Sequence, residues 1–181
     1  MNLETLTQKF FILGKLLTYP NKELSTEIKK VISQSKNKGE FELIEKILLS
    51  LDKENIENLE SEYTSLFVTA YPKTPCPPYF SAYQTGLVVS DFTEELYKIY
   101  ENYGIELSND QFPDFIPIMM EFMTLLLSNN LEEEAKNFYD KYLSWVSVFA
   151  ENIKKNTREE YFINIANQLK SFIKDVDSFF A

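Results

Sequence analysis

The sequence predicts an all-α protein, built as one domain from about seven to ten helices. Apolar residues recur every three or four positions through most of its 181 residues, and nowhere does period-two alternation combine with turn glycines. Hydrophobic residues make up 44% and charged residues 25%, which is ordinary for a chain with a core of its own. Because no internal repeat or low-complexity linker interrupts the pattern, we expect residues 1–181 to form a single domain.

Apolar spacing and capping residues place the individual helices. The first helix ends before Pro20, and Asn21 is placed to cap the second. Asp91 and Glu94 resemble a capping box, and Gly104 follows the helix that this box would begin. The predicted helices cover, in order, residues 3–17, 24–32, 41–51, 56–67, 91–100, 113–128, 131–154 and 159–179.

Residue types that are missing from the chain exclude several kinds of site. With no histidine and a single cysteine, Cys76, the chain cannot form a zinc finger, an HExxH site, a Ser-His-Asp triad or an internal disulfide. Its four glycines lie too far apart for a P-loop or a dinucleotide-binding turn. No apolar run is long enough to span a membrane. We therefore expect a cytoplasmic protein without a cofactor.

Negative charge is concentrated in one window of the sequence. Between Asp91 and Glu134 there are eleven acidic residues and one basic residue, Lys98, so this window matches the net charge of −10 of the whole chain. A protein that binds nucleic acid or an anionic membrane surface needs the opposite sign, so we predict neither. The window is either a solvated face or a surface for a basic partner.

The centre of the acidic window is FPDFIPIMMEFMTLLL, residues 112–127. On a helix, Asp114, Pro117, Glu121 and Thr124 form one narrow polar stripe on an otherwise apolar surface. In one interpretation this is a core helix whose carboxylates face water. In the other, two carboxylates lie at the edge of a groove, whose flexible lining accepts varied apolar side chains. The residues that would line this groove are Met119, Met120, Phe122 and Met123.

The same stretch argues against catalysis and leaves the start of its helix open. Seven residues of helix separate the backbones of Asp114 and Glu121 by about 10 Å, too far for most paired-carboxylate hydrolysis. We therefore predict that these two carboxylates are not a catalytic pair. Pro113 is placed as a first helical residue, whereas Pro117 either kinks the helix or marks its proper start.

A proline-rich loop, TPCPPYFSAY at residues 74–83, precedes the acidic window. Prolines restrict the unfolded chain, so the loop can present Tyr79, Ser81 and Tyr83 in a fixed geometry at low entropic cost. Rigid tyrosines with a polar tip suit peptide contacts. The alternative is that Tyr79 and Phe80 only fill the core beneath a long connection.

Four features in succession resemble a known family. They are Tyr63-x-x-Leu66-Phe67 at a helix end, Pro78-Tyr79-x-Ser81-x-Tyr83, Pro113-Asp114 followed by Glu121-Phe122-Met123, and a helix with Phe138, Tyr142 and Trp145. In this order they are similar to the TorD/DmsD/NarJ family of redox enzyme maturation chaperones, over about residues 5–178. The sequence departs from the family at Phe80, Phe115, Met119 and Tyr142, where glutamate or histidine is frequent.

The resemblance implies a TorD-like helical bundle with no enzymatic activity. Such chaperones bind the N-terminal leader, often a twin-arginine signal, of the catalytic subunit of a molybdopterin oxidoreductase until its cofactor is in place. The precursor of that subunit is the expected partner, and the chaperone itself is expected to be a monomer or a homodimer. The residues expected to bind the leader are Tyr63, Phe67, Tyr79, Ser81, Tyr83, Asp114, Phe115 and Glu121.

Two other kinds of protein remain compatible with the sequence. A helical adaptor for a different complex would share the acidic surface but would not bind a molybdoenzyme leader. An enzyme or carrier for a small apolar ligand would use the methionine and phenylalanine face as its pocket.

Overall fold

The structure of the protein is a computed structural model that describes residues 1–69, 73–86, 90–108 and 110–181. Within these ranges the chain forms helices and no β-strand, which confirms the all-α prediction. The α-helices are α1 (Leu3–Leu16), α2 (Lys22–Gln34), α3 (Glu42–Lys53), α4 (Ile56–Tyr63), α5 (Phe80–Gln84), α6 (Asp91–Asn102), α7 (Ile116–Ser128), α8 (Glu132–Tyr142), α9 (Val146–Asn156) and α10 (Glu160–Phe180). A 3₁₀ turn covers Lys38–Phe41, and a π-helical segment covers Thr64–Val68.

Side-chain caps begin the helices much as the sequence predicts. Asn21 accepts the backbone N–H of Leu24 on its Oδ1 atom at 2.9 Å, so it caps α2. The cap of α6 lies one residue earlier than expected, because Ser90 is extended and Asp91 is already helical. The backbone N–H of Ser90 donates to Oγ1 of Thr93 at 2.9 Å, so the predicted pair of Asp91 and Glu94 is wrong.

The helix predicted over residues 131–154 is two helices, α8 and α9. The turn between them contains no glycine or proline, so sequence signals do not reveal it. The indole N–H of Trp145 donates to the carbonyl of Tyr142 at 2.6 Å, which satisfies a carbonyl at the end of α8. The Trp145 ring then lies over the Tyr83 ring, with 4.3 Å between the ring centres. A tertiary contact therefore accompanies the break.

Helix α7 begins at Ile116, so Pro113 is not its first residue as predicted. Pro117 occupies the first turn instead, where a missing N–H costs no helical hydrogen bond. Of the two possibilities that the sequence left open, the structure has the later helix start. Asp114 consequently lies before the helix and does not share a helical face with Glu121.

Buried apolar side chains from all ten α-helices form one hydrophobic cluster. Helix α1 packs against α7 and α10, and α10 also packs against α3 and α9. Gly14 allows the first of these contacts, since a Cβ atom there would lie 3.2 Å from Cβ of Met120. The single domain over residues 1–181 stays a prediction, which this cluster supports.

The side chains proposed to line a methionine groove belong to the core. Met119, Met120 and Met123 are 0% exposed, and Phe122 is 3% exposed. The prediction of a groove built from these four residues is therefore wrong, because α1 and α8 pack against α7 and bury the three methionines. Of the four, Phe122 alone lines a surface recess. The outward face of α7 carries Ile118, Glu121 and Leu125 instead.

Candidate functional site

A recess of about 510 Å³ opens between α1, α7 and the chain that follows α6. We call it the deep recess. Its walls are largely apolar, and Glu121, Gln111 and Asn129 supply most of its polar edge. The apolar residues that line it are Phe11, Tyr100, Ile105, Leu107, Ile118, Phe122 and Leu125.

A second recess of about 260 Å³ lies beside the first, and we call it the aromatic recess. It is lined by Tyr79, Phe112 and Phe115, together with Pro117 at the start of α7. Ile118, Glu121 and Gln111 line both recesses, and a narrow cleft of about 50 Å³ between α1 and α7 again includes Glu121. The two recesses and the cleft thus form one surface, which we call the trough.

A short backbone pairing holds the aromatic recess in shape. The N–H of Phe80 donates to the carbonyl of Asp114, and the N–H of Ile116 donates to the carbonyl of Pro78, both at 3.0 Å. This pairing sets Tyr79 opposite Phe115, with 5.5 Å between their ring centres. The proline loop therefore does place Tyr79 in a defined position, as its sequence predicts.

The buried side chain of Asp114 adds a hydrogen bond to this backbone pairing. Its Oδ2 atom accepts the backbone N–H of Ser81 at 2.9 Å, and both residues are 0% exposed. The Ser81 hydroxyl in turn accepts a hydrogen bond from the Ser90 hydroxyl at 2.9 Å. Ser81 and Asp114 therefore support the trough without lining it.

The expected pair of rim carboxylates does not form, because Asp114 is buried while Glu121 is exposed. The sequence interpretation in which both carboxylates face water is correct for Glu121 alone. One partner of the pair holds a loop, and the other lies in the middle of the trough.

Tyr79 keeps its hydroxyl proton at the edge of the aromatic recess. Burial raises the pKa of its phenol above the ordinary value, and the negative charge of Asp114 raises it further. The half-buried phenol can therefore donate a hydrogen bond at neutral pH.

Two other predicted site residues, Tyr63 and Phe67, pack into the core. The Tyr63 hydroxyl donates to the carbonyl of Leu17 at 3.1 Å. The Phe67 ring contacts those of Phe149 and Phe162, with 5.8 Å between ring centres in each case. Neither residue lines the trough, so their placement does not support a direct peptide contact.

Tyr83 also points away from the trough, toward α9. Its ring lies against Trp145, and its hydroxyl accepts a hydrogen bond from Nδ2 of Asn152 at 3.3 Å. Burial raises the pKa of Tyr83 to about 12. Tyr83 and Trp145 are half-buried neighbours, so these two aromatic residues join the proline loop to α9.

Cys76 gives a direct test of how firmly the proline loop is packed. Its side chain is fully buried, and burial raises the pKa of its thiol to about 12. We expect the native protein to resist dithionitrobenzoate at pH 8, since the reagent needs an accessible thiolate. The urea-unfolded chain is the control and should react with one equivalent of reagent.

The sign of the pH dependence follows from this raised pKa. Because the pKa of the folded thiol lies above its ordinary value of 9.0, the stability that burial confers is present below pH 9 and is lost as the pH rises toward 12. Reactivity with dithionitrobenzoate should therefore increase with pH through partial unfolding. Rapid reaction of the native protein at pH 8 would show that the loop opens readily.

The charged residues around the trough are mostly acidic. Asp110 lines the aromatic recess, and Glu101 and Glu106 line a crevice of about 460 Å³ that shares Ile105 and Leu107 with the deep recess. Lys15 borders the narrow cleft, but its ammonium group is already 3.6 Å from Oε1 of Glu27. A cationic group near Glu121 would therefore meet a negative environment.

Sequence reasoning missed much of the apolar lining of the trough. No motif in the sequence marks the apolar lining residues Phe11, Ile105, Leu107, Ile118 and Leu125, although α7 is apolar on nearly every side. That composition does indicate that α7 contacts several elements. It does not indicate that α1 and the segment after α6 supply the opposite walls.

The residues that the structure describes contain neither a metal-binding cluster nor a membrane-spanning helix. None of their His, Cys, Asp or Glu side chains form a group that could hold a metal ion. Outside the gaps at 70–72, 87–89 and 109, no helix is long and apolar enough to cross a membrane.

The helical fold and its trough define an all-α protein with a surface recess that has apolar walls and acidic residues at its edge. The family model described as nitrate reductase delta subunit matches residues 32–156, which is more than half of the chain. The protein therefore belongs to this family of NarJ/TorD-like chaperones, which confirms the resemblance found in the sequence.

A solved structure with the same fold supports the architecture. That solved structure is of a protein from Archaeoglobus fulgidus, which is described as a candidate redox enzyme maturation protein. It is 23% identical to this chain, the alignment covers 93% of each chain, and the TM-score is 0.73. No curated protein matches the sequence.

Proposed function

We propose that this protein is a cytoplasmic maturation chaperone for the catalytic subunit of a nitrate reductase-type molybdopterin oxidoreductase. It binds the N-terminal leader of that subunit before export or membrane attachment. Family membership supports the class of client. The observation that carries the proposal is the position of Glu121, an exposed carboxylate between two apolar recesses.

A leader segment combines the two kinds of chemistry that the trough offers. Basic side chains of the leader pair with the carboxylates of Glu121 and Asp110. Apolar side chains of the leader fill the two recesses of about 510 and 260 Å³. Neighbouring carboxylates such as Glu101 and Glu106 raise the rate at which a basic segment arrives. The protein itself supplies binding and no chemical step.

The predicted site residues have three different roles in this proposal. Tyr79, Phe115 and Glu121 contact the leader, because they line the trough. Ser81 and Asp114 keep Tyr79 and Phe115 in place through their hydrogen bond. Tyr63, Phe67 and Tyr83 act indirectly, by anchoring the surrounding helices.

A small apolar ligand is the second candidate, because the deep recess is large enough to enclose one. Such a ligand would use the same walls and would compete with the leader. A defined molecule that stays bound through purification and blocks peptide binding would favour this candidate.

Co-expression of the protein with the other genes of its operon tests which protein is its client. We expect the chain to co-purify with a molybdoenzyme subunit precursor that lacks its mature cofactor. The probe for binding is then the N-terminal peptide of that subunit, titrated by calorimetry at two ionic strengths. Recovery of unrelated proteins alone, with no binding of the peptide, would contradict the proposal.

The variant Glu121→Gln connects this binding to the trough. We expect about a threefold to tenfold loss of affinity and a weaker salt dependence, because an attraction between opposite charges is removed. The control is Glu132→Gln, an exposed residue in the first turn of α8 that does not line the trough. Equal losses in both variants would show that net charge, and not the trough, governs binding.

A further inference from the structure

The arrangement of charge inside the trough restricts the sequence of the bound segment. Glu121 is exposed and lines the deep recess, the aromatic recess and the narrow cleft that joins α1 to α7. Apolar walls therefore lie on two sides of this one carboxylate. Tyr79, Phe112 and Phe115 form one side, and Phe11 and Leu125 belong to the other.

Among the residues that the structure describes, no second carboxylate lines all three parts of the trough as Glu121 does. Asp114 is fully buried and accepts the backbone N–H of Ser81, so it is not available to a ligand at the surface. Asp110 lines only the aromatic recess, and Glu101 and Glu106 line the neighbouring crevice. The centre of the trough therefore provides for one cationic group.

We propose that the trough recognises a segment in which one basic side chain stands between two apolar groups. The inference rests on the proposed function and names the chemical pattern of its ligand. It differs from a leader in which basic residues simply precede one continuous apolar stretch. The deep recess has about twice the volume of the aromatic recess, so the bulkier apolar group belongs on the deep side.

Desolvation accounts for this order of residues. An apolar group on each side fills a recess and releases water from its walls. The cation between them meets Glu121 where these apolar walls limit screening by water, which strengthens the attraction. If the basic residue stood at one end and paired with Glu121, one recess would receive no apolar group, and its apolar walls would stay hydrated.

Two peptides of equal composition test the proposal. One carries a single lysine between two pairs of leucines, and the other carries the lysine before four consecutive leucines, each within the same neutral polar flanks. Binding is measured by fluorescence anisotropy of the labelled peptides at low salt. We expect the first peptide to bind about tenfold more tightly, a preference typical of one well-placed charge and its apolar neighbours.

Changing the charge of the peptide's central residue and of Glu121 tests whether Glu121 is the group that binds the basic residue. Replacing the central lysine by norleucine should weaken binding to the wild type but not to Glu121→Gln. In Glu121→Lys the preference should reverse, so that a peptide with a central glutamate binds better than the lysine peptide. Glu132→Gln is the matched control and should keep the wild-type preference, while circular dichroism verifies the fold of every variant.

The outcomes separate this inference from the proposed function. Equal or tighter binding of the peptide with consecutive leucines, or no binding of either designed peptide, would overturn the inference. If the natural leader still binds and is weakened by Glu121→Gln, the proposed function stands without it. If neither the natural leader nor the designed peptides bind, both are wrong.

Discussion

Ile118→Lys should lower the affinity for the client leader by about thirtyfold, the largest loss that we expect from one substitution in the trough. Ile118 is half-buried and lines both recesses, so the change removes apolar contact from the centre of the trough. The introduced ammonium group also lies three residues from Glu121 on the same helix, where it can pair with that carboxylate. Both effects disfavour a basic, apolar segment.

Val148→Lys provides the matched control for Ile118→Lys. Val148 lies on α9, is 53% exposed and does not line the trough. The same change of residue type there should leave the affinity within about twofold, as expected for an exposed side chain outside the interface. Calorimetric titration of the leader peptide measures both variants. Comparable affinities for the two would place the binding site outside the trough.

Asp114→Ala should lower the free energy of unfolding by about 1–3 kcal/mol, which is the range for leaving a buried N–H without its acceptor. The N–H of Ser81 loses its contact with Oδ2 of Asp114, in a position where neither residue is exposed to water. The pairing that sets Tyr79 opposite Phe115 should also loosen, so the affinity for the leader falls as well. Urea unfolding measures the first effect.

Two comparisons make the Asp114 result specific. Asp110→Ala removes an exposed carboxylate from the aromatic recess and should change stability by less than about 0.5 kcal/mol. Asp114→Asn keeps an acceptor for Ser81 and should be less destabilising than Asp114→Ala. Trp145 is the only tryptophan, so its fluorescence follows unfolding in every variant. Equal stability of Asp114→Ala and Asp110→Ala would show that the buried hydrogen bond contributes little.

The helices were largely predictable because their signals are local. Asn21 caps α2 as expected, and the apolar spacing of residues 159–179 corresponds to α10 within one residue at each end. The break between α8 and α9 was not predictable, because Trp145, which caps Tyr142, packs on Tyr83, a residue from a distant part of the chain. Contacts of that kind leave no mark on local periodicity.

The candidate site was predicted only in part, for a related reason. Spacing put Asp114 and Glu121 on one helical face, but Pro117 lies in the first turn of α7 and leaves Asp114 outside the helix. Tyr79, Phe115 and Glu121 are among the eight residues that the family resemblance implies for leader binding, and they line the aromatic recess together. That they bind a leader stays a prediction. Phe11 and Leu107 were missed, since they come from parts of the chain without a distinctive motif.

The sequence by itself determined the helical class, the family and the acidic character of residues 91–134. These properties follow from periodicity, residue order and composition, which require no knowledge of contacts. Only the tertiary structure decided which carboxylate is buried and which residues face one another across the trough. The close approach of α1 and α7 at Gly14, and the pairing of residues 78–80 with 114–116, join segments far apart in the chain. Tertiary packing therefore buries Asp114, where it holds the backbone of Ser81, and leaves Glu121 as the exposed carboxylate of the trough.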